Sequence, residues 1–338
     1  MVQDYGHQVT IVSLFESPSD PFYPFDGAVD FRFLGLLHSK ELFSRSFKVR
    51  IKSILDELDP DVVTVCDDGY KGLLMPNLLP KTVKLVYERH APKSFSFHKR
   101  PKYLRWLSGI QLGRMDKLAK RYDRVVLLTE GNRNEWNIDN CLVIPNPLSW
   151  EDTETSALDR KVVLAVGKQG RVKSYDRLLK IWKRVIEERQ GWELKIVGKF
   201  NPALELEQLR SDLGLDQSVA FIPPTTAIEK FYEEASIYVM SSVLEGFGMV
   251  LIEAMQHGVP CIAYDCPYGP ADIIDDGQNG YLIENGDQDS YAFYLSKLMD
   301  DPKLRKELGR GAVKKSRQYR LRAIMPKWDA LYRDLVNE

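Results

Sequence analysis

The sequence predicts an α/β protein made of two doubly wound, Rossmann-like domains facing each other across a cleft, and three observations predict it. Short β-branched runs alternate with longer amphipathic ones over residues 1–148, and the same alternation restarts after residue 149. The strand-like runs are apolar on both faces, which marks parallel strands covered by helices on either side. At 338 residues the chain also exceeds the ~250 to 300 at which a single hydrophobic core stops growing.

In the first series the strands are predicted at Val9 to Ser13, Val62 to Cys66, Lys84 to Tyr87, Val125 to Leu128 and Leu142 to Ile144, with helices near 40–58 and 101–121. The prolines of Pro145-Asn146-Pro147 and the polar stretch from Trp150 to Arg160 break any periodic element, so the linker belongs there. The second series places strands at Val162 to Val166, Leu194 to Val197, Val219 to Ile222, Ile237 to Met240, Cys261 to Ala263 and Tyr281 to Ile283. Its helices fall near 174–189, 203–213, 227–235 and 248–257. Helical runs at 287–299, 303–318 and 322–337 close the chain, with Pro302 and Pro326 as breaks near their starts. The domains are therefore 1–148 and 149–320, followed by a terminal helix over 321–338.

Bulk composition excludes several classes of function. The apolar fraction of 44%, the charged fraction of 28% and a net charge of −1 are close to globular averages, which argues against nucleic acid as a partner and against disorder. Cys66, Cys141, Cys261 and Cys266 form no CxxC pair and have no histidine at zinc spacing, and the first three sit in or beside strand-like runs where a buried free thiol is the usual reading. No run approaches the ~20 apolar residues that span a bilayer, and residues 1–20 lack a signal pattern. A reducing, cytoplasmic setting is expected.

Ligands of open α/β sheets bind beyond the carboxyl ends of the strands, so the loops that follow strands carry the chemistry. The run from Ser241 to Pro260 is the most informative. Its helix is apolar nearly all round except at Glu253, and a lone buried carboxylate needs donors; ligand hydroxyls would serve. Gly246 and Gly248 remove side chains where helix amides can approach an anionic or hydroxylated ligand. The other reading is a plain strand-turn-helix with Glu245 exposed and Glu253 paired to a distant cation. A second loop, from Gly167 to Ser174, gathers Lys168, Arg171 and Lys173 and suits a diphosphate, although basic loop residues are often simply solvated. Neither a Walker A pattern nor G-x-G-x-x-G occurs, so the phosphate site is of another kind. A third stretch, Tyr268 to Ile283, reads as turn and helix punctuation. His90, after a first-domain strand, is expected on the opposite wall of the cleft or else is structural.

Together these residues resemble the retaining glycosyltransferases of family four, also called group one, which have the GT-B fold. The signature of Glu, seven residues, Glu stands here as Glu245 and Glu253, within Glu-Gly-Phe-Gly and before His-Gly-Val-Pro. The resemblance implies that Glu245 lies beside the transferred sugar, that the amides of Phe247 to Met249 meet sugar and phosphate, and that Glu253 holds the ribose. Lys173 matches the family lysine on the diphosphate. Lys168 stands where the family has Arg, which keeps the charge and loses the bidentate fork, with Arg171 to compensate. His90 matches the histidine near the anomeric centre, and the C-terminal helix the one that crosses back to the first domain. One departure is that the Gly-His-x-Val strand, here Gly6-His7-Gln8-Val9, is normally preceded by a strand, a glycine-rich loop and a helix of roughly 30 residues.

What the resemblance implies is transfer of a hexose or N-acetylhexosamine from a nucleotide diphosphate sugar, a UDP-sugar, to a hydroxyl of a glycan or lipid-linked acceptor in capsular, exopolysaccharide or lipopolysaccharide assembly. The nucleotide sugar is a substrate, and the sequence demands neither cofactor nor metal. The basic, aromatic stretch from Lys93 to Arg121, with Phe95, Phe97, Tyr103 and Trp106, suggests peripheral contact with an anionic membrane or else a solvated basic helix. Alternatives are a GT-B epimerase or phosphorylase and a non-catalytic sugar-nucleotide-binding homologue.

Overall fold

The computed structural model describes residues 1–15, 25–36, 41, 44–95, 105–150 and 153–338. The first domain runs through helix α1 (Val2–Tyr5), strands β1 (Thr10–Phe15) and β2 (Asp30–Leu36), helix α2 (Arg45–Leu58), strands β3 (Val62–Cys66) and β4 (Lys84–Arg89), helix α3 (Arg105–Ala119), strand β5 (Arg124–Leu127), helix α4 (Glu130–Arg133) and strand β6 (Cys141–Val143). All pairings are parallel. Among the described residues the sheet comes in two pieces, β1-β2 and β3-β4-β5-β6, rather than as one. The pieces share a core all the same, in which Val12, Leu34 and Leu36 join Phe47, Leu85, Tyr87 and Val125. Strand β2 is absent from the sequence-based prediction, because Asp30, Arg32 and Gly35 dilute its apolar signal.

The second domain continues with β7 (Val162–Val166), α5 (Tyr175–Ile186), β8 (Glu193–Val197), α6 (Leu206–Asp212), β9 (Val219–Ile222), α7 (Ile228–Glu234), β10 (Ile237–Met240), α8 (Met249–Gln256), β11 (Cys261–Asp265), α9 (Pro270–Ile273) and β12 (Gly280–Glu284). Its parallel sheet has the order β12-β11-β10-β7-β8-β9. The chain starts in the middle of this sheet, winds outward one way, then returns to place β10 on the other side of β7. Helix α5 shows why the layers hold together: Leu178, Leu179, Ile181, Trp182 and Val185 recur at helical spacing and are buried against β7 and β8.

Helices α10 (Gln288–Asp300), α11 (Pro302–Ser316) and α12 (Leu321–Asn337) end the chain. Pro302 occupies the first turn of α11, where its missing N–H costs nothing. Pro326, expected as a break, instead lies inside α12. There the loss of one backbone bond is outweighed by packing, since Ile324, Trp328, Leu331 and Leu335 form one stripe that covers Val86, Val126 and Ile144 of the first domain. His7 adds a 2.7 Å bond to Asp329 of the same helix. The last helix thus belongs to the first domain by packing although it follows the second in sequence.

Shortening this stripe should loosen the first domain. Leu335→Ala, at a fully buried site, is expected to cost about 2–5 kcal/mol, read as a lower denaturant midpoint at unchanged slope. Val336→Ala, on the exposed side, should stay within about 0.5 kcal/mol.

Candidate active site between the two sheets

Strands β7 and β10 are hydrogen-bonded neighbours at the point where the strand order of the second sheet reverses. Two loops therefore leave the same edge side by side, one carrying Gly167 to Ser174 and the other Ser241 to Gly248. They are tied together by the Val243 N–H to Val172 O bond of 2.8 Å and by Ser241 Oγ on the Lys173 carbonyl at 2.7 Å. That places Lys173 Nζ 2.8 Å from Glu245 Oε1, with both side chains mostly buried. Arg177, which the sequence reading missed, lies over the Tyr264 ring at 3.8 Å and donates to the Ser241 carbonyl at 2.6 Å. Its helical position at the start of α5 hid it among ordinary surface cations.

The first domain closes on this edge. A side-chain carbon added at Gly246 would sit 2.1 Å from the His90 carbonyl oxygen, so glycine is required by a backbone-to-backbone approach across the cleft. Asn132 Nδ2 donates to the Gly246 carbonyl at 2.8 Å, and the Glu130 N–H donates to Asp272 at 3.0 Å. The space left between the walls holds about 150 Å³ and is lined by His90, Pro92, Phe95, Val172, Glu245 and Gly246. His90 and Glu245, 155 positions apart in the chain, thus line one cavity.

Helix α8 starts at Met249 with Gly248 as its N-cap at φ 103°, a left-handed conformation that costs other residues strain, and the cap has no side-chain bond. The amides of Phe247 to Met249 stand at an uncapped helix start, while the Phe247 side chain itself is buried against Tyr319. Lys168 and Arg171 are exposed, so of the three loop cations Lys173 alone turns onto Glu245.

The structure corrects the expectation that Glu253 depends on ligand donors. The hydroxyl of Tyr232, on α7, donates to Glu253 Oε2 at 2.7 Å, and the ring of Tyr232 stacks on His257. Burial pushes the Glu253 carboxyl above its ordinary range, against the opposing pull of the Tyr232 hydroxyl and the Lys173 charge. The same burial, with the Glu253 charge second, raises Tyr232. Glu253 itself remains partly exposed. A tyrosine inside a run of Phe, Tyr and Glu carries no sequence mark of such a role.

Two more expectations are corrected. Cys66 is exposed and not buried, and it has a histidine neighbour that linear spacing could not reveal: Cys66 Sγ donates to Glu88 at 2.8 Å, whose other oxygen meets His90 Nε2 at 3.0 Å. Lys93, counted in the basic stretch, is buried against Asp116 and over the Trp136 ring, which removes it from any surface. Phe97, Tyr103 and the Trp106 side chain lie outside the described residues. No helix among the described residues is long and apolar enough to cross a membrane.

The comparisons with known proteins agree with this architecture. The family described as "Glycosyl transferases group 1" matches residues 149–315, and "Glycosyltransferase Family 4" matches residues 2–149. The amylovoran biosynthesis glycosyltransferase AmsD of Erwinia amylovora is 29% identical over 352 aligned positions, covering 100% of this chain and 93% of that protein. Sucrose-phosphate synthase from Thermosynechococcus elongatus superposes with a TM-score of 0.80 at 18% identity, over 97% of this chain and 89% of that one. HepE of Anabaena, solved with UDP and glucose, superposes at 0.74 with 17% identity, over 90% and 86%. At these identities the two structures speak to the fold.

A carboxyl raised by burial holds its proton more tightly in the folded than in the unfolded chain. The stability it lends is therefore complete below its ordinary value of 4.5 and is lost as pH rises through its folded value. Glu253→Gln is accordingly expected to raise the Tm of the ligand-free protein at pH 7, with the gain vanishing below pH ~4. Tyr232→Phe should lower stability by about 1–3 kcal/mol at pH 7. An equal or lower Tm for Glu253→Gln would show that the ionised carboxylate is no burden.

Proposed function

The chain belongs to the group 1, family 4 glycosyltransferases of GT-B fold, and from that premise we propose that it moves a sugar from UDP to a hydroxyl of a growing surface polysaccharide, with retention of configuration. The observation that carries the reading is the meeting of Lys173, Glu245 and the uncapped start of α8 at one sheet edge, opposite His90. The open cleft space of about 150 Å³ is smaller than the ~300 to 1,000 Å³ of pockets for larger ligands, which suits the transferred sugar, with the nucleotide extending along α8 toward Glu253.

The chemistry asks the protein to stabilise a departing diphosphate and an electron-poor anomeric carbon. Lys173 and the amides of Phe247 to Met249 provide positive charge fixed in place before the reaction, where electrostatic stabilisation acts without reorganisation cost. As the bond from the anomeric carbon to the phosphate oxygen breaks, the acceptor oxygen attacks the same face, and its proton passes to the leaving diphosphate. Glu245 orients the sugar hydroxyls while its ion pair holds Lys173 in place. His90 meets the sugar from the other wall. Glu253, with one oxygen on Tyr232, offers its remaining lone pairs to the ribose hydroxyls. UDP as carrier is supported by the likeness to HepE, solved with UDP and glucose, and a polysaccharide product by the likeness to the amylovoran enzyme.

Calorimetry with UDP and donor-turnover assays test this reading. Glu253→Ala is expected to weaken UDP binding at least ~10-fold with the fold retained, and Lys173→Ala to lower donor turnover by about 10²- to 10³-fold. UDP affinity unchanged in Glu253→Ala would remove the nucleotide site from α8.

A further inference from the structure

The first-domain wall carries a second cluster that the transfer chemistry does not use in full. Cys66, the last residue of β3, is paired in register with Glu88 of β4. Register partners on neighbouring parallel strands point to the same face, and His90, two positions after Glu88, continues that face by the period of two. The result is a thiol, a carboxylate and an imidazole whose ligand atoms all lie within 4.8 Å of one another. Cys66 Sγ is 2.8 Å from one Glu88 oxygen and His90 Nε2 is 3.0 Å from the other.

The surroundings keep this trio together without claiming its ligand atoms. Asp68 accepts from the backbone N–H groups of His90 and Ala91 at 2.8 and 2.6 Å, which pins the loop after β4. The guanidinium of Arg89, on the opposite face of the strand, is spent on the Ala91 and Pro92 carbonyls and the Tyr87 hydroxyl. Tyr332 of α12 bonds Thr64, the next residue inward on the β3 row, and so closes the floor below Cys66. Cys66 and His90 are exposed, so the open side faces solvent and the cleft.

We propose that Cys66, Glu88 and His90 form a binding site for one zinc-class divalent ion. Thiolate, imidazole and carboxylate are the donor set that zinc favours, and three protein ligands with one open position is a regular zinc arrangement. Zinc with bonds of about 2.0 to 2.3 Å to tetrahedral ligands holds them roughly 3.3 to 3.6 Å apart, so the trio needs side-chain shifts of under ~1 Å. On binding, the Cys66 thiol gives its proton to solvent and the Cys66–Glu88 and Glu88–His90 bonds are replaced by bonds to the ion. An ion seated there holds His90 away from the sugar. This consequence rests on the proposed transferase reading, in which zinc shuts donor turnover; the site itself does not.

The full-length protein, freed of metal, is titrated with Co²⁺ and Zn²⁺. A thiolate-to-cobalt charge-transfer band and one equivalent of Zn²⁺ are expected, and Cys66→Ser, whose melting curve without metal should match the parent's, is expected to lose the band. Cys66→Ser and His90→Gln should each weaken Zn²⁺ at least ~10-fold, since even changes beyond the ligands cost 10- to 100-fold. No Zn²⁺ binding by the parent, binding without a thiolate band, or equal binding by Cys66→Ser would each overturn the site. Zn²⁺ should inhibit donor turnover in the parent and spare Cys66→Ser. If the protein turned over no donor at all, the function proposed above would fail, and the metal titrations would still decide this one.

Discussion

Adjacency of β7 and β10 is the constraint on which the site depends. A parallel sheet sends every post-strand loop to the same edge, but only where the winding reverses do two loops from distant parts of the chain emerge with no helix between them. Here that point brings Lys173 and Glu245, 72 positions apart, within 2.8 Å. Each charge answers the other, so both can sit mostly buried in the ligand-free protein. Burial without the partner would be costly for either.

The second domain alone makes half of a site. The other half arrives through a contact with no side-chain chemistry, the backbone of Gly246 against the His90 carbonyl, which glycine permits and any other residue obstructs. Around it the Asn132 and Asp272 bonds and the Leu148 N–H to Tyr319 O bond of 2.7 Å join the domains on both sides of the linker. Helix α12 adds the longest-range tie, since its stripe lies under β4 and β5, the strands that lead to His90 and Asn132. The position of the wall that carries His90 is thus coupled to the packing of the last seventeen helical residues of the chain.

Glu253 shows how a buried carboxyl and the stability of its helix oppose one another. Surrounding Leu251, Ile252, Ala254 and Met255 are all fully buried, and they make α8 a core element; the carboxylate among them raises the cost of that burial. Tyr232 relieves part of the cost by donating to one of the two carboxyl oxygens. The pairing also accounts for the stacking of Tyr232 on His257, whose Nδ1 lies 3.0 Å from the Glu253 carbonyl oxygen. A polar string through an apolar layer holds its geometry because each member is packed as well as bonded.

Most of the fold was legible in the residues. Period and composition located β3, β7, β9 and β10 at their observed bounds, because buried parallel strands are written as unbroken β-branched runs. Strand β2 was lost to its polar residues, and the break expected at Pro326 near the start of the last helix is absent because proline propensity is local while the α12 stripe is held by the first domain. The sequence by itself determined the two-domain α/β plan, the glutamate pair and the cationic loop, all of which reside in short contiguous segments. Only the tertiary structure decided that Tyr232 serves Glu253, that Gly246 abuts His90 and that Cys66, Glu88 and His90 share a face. Those relations depend on strand register, winding order and domain approach, and none of these is encoded in the spacing of residues along the chain.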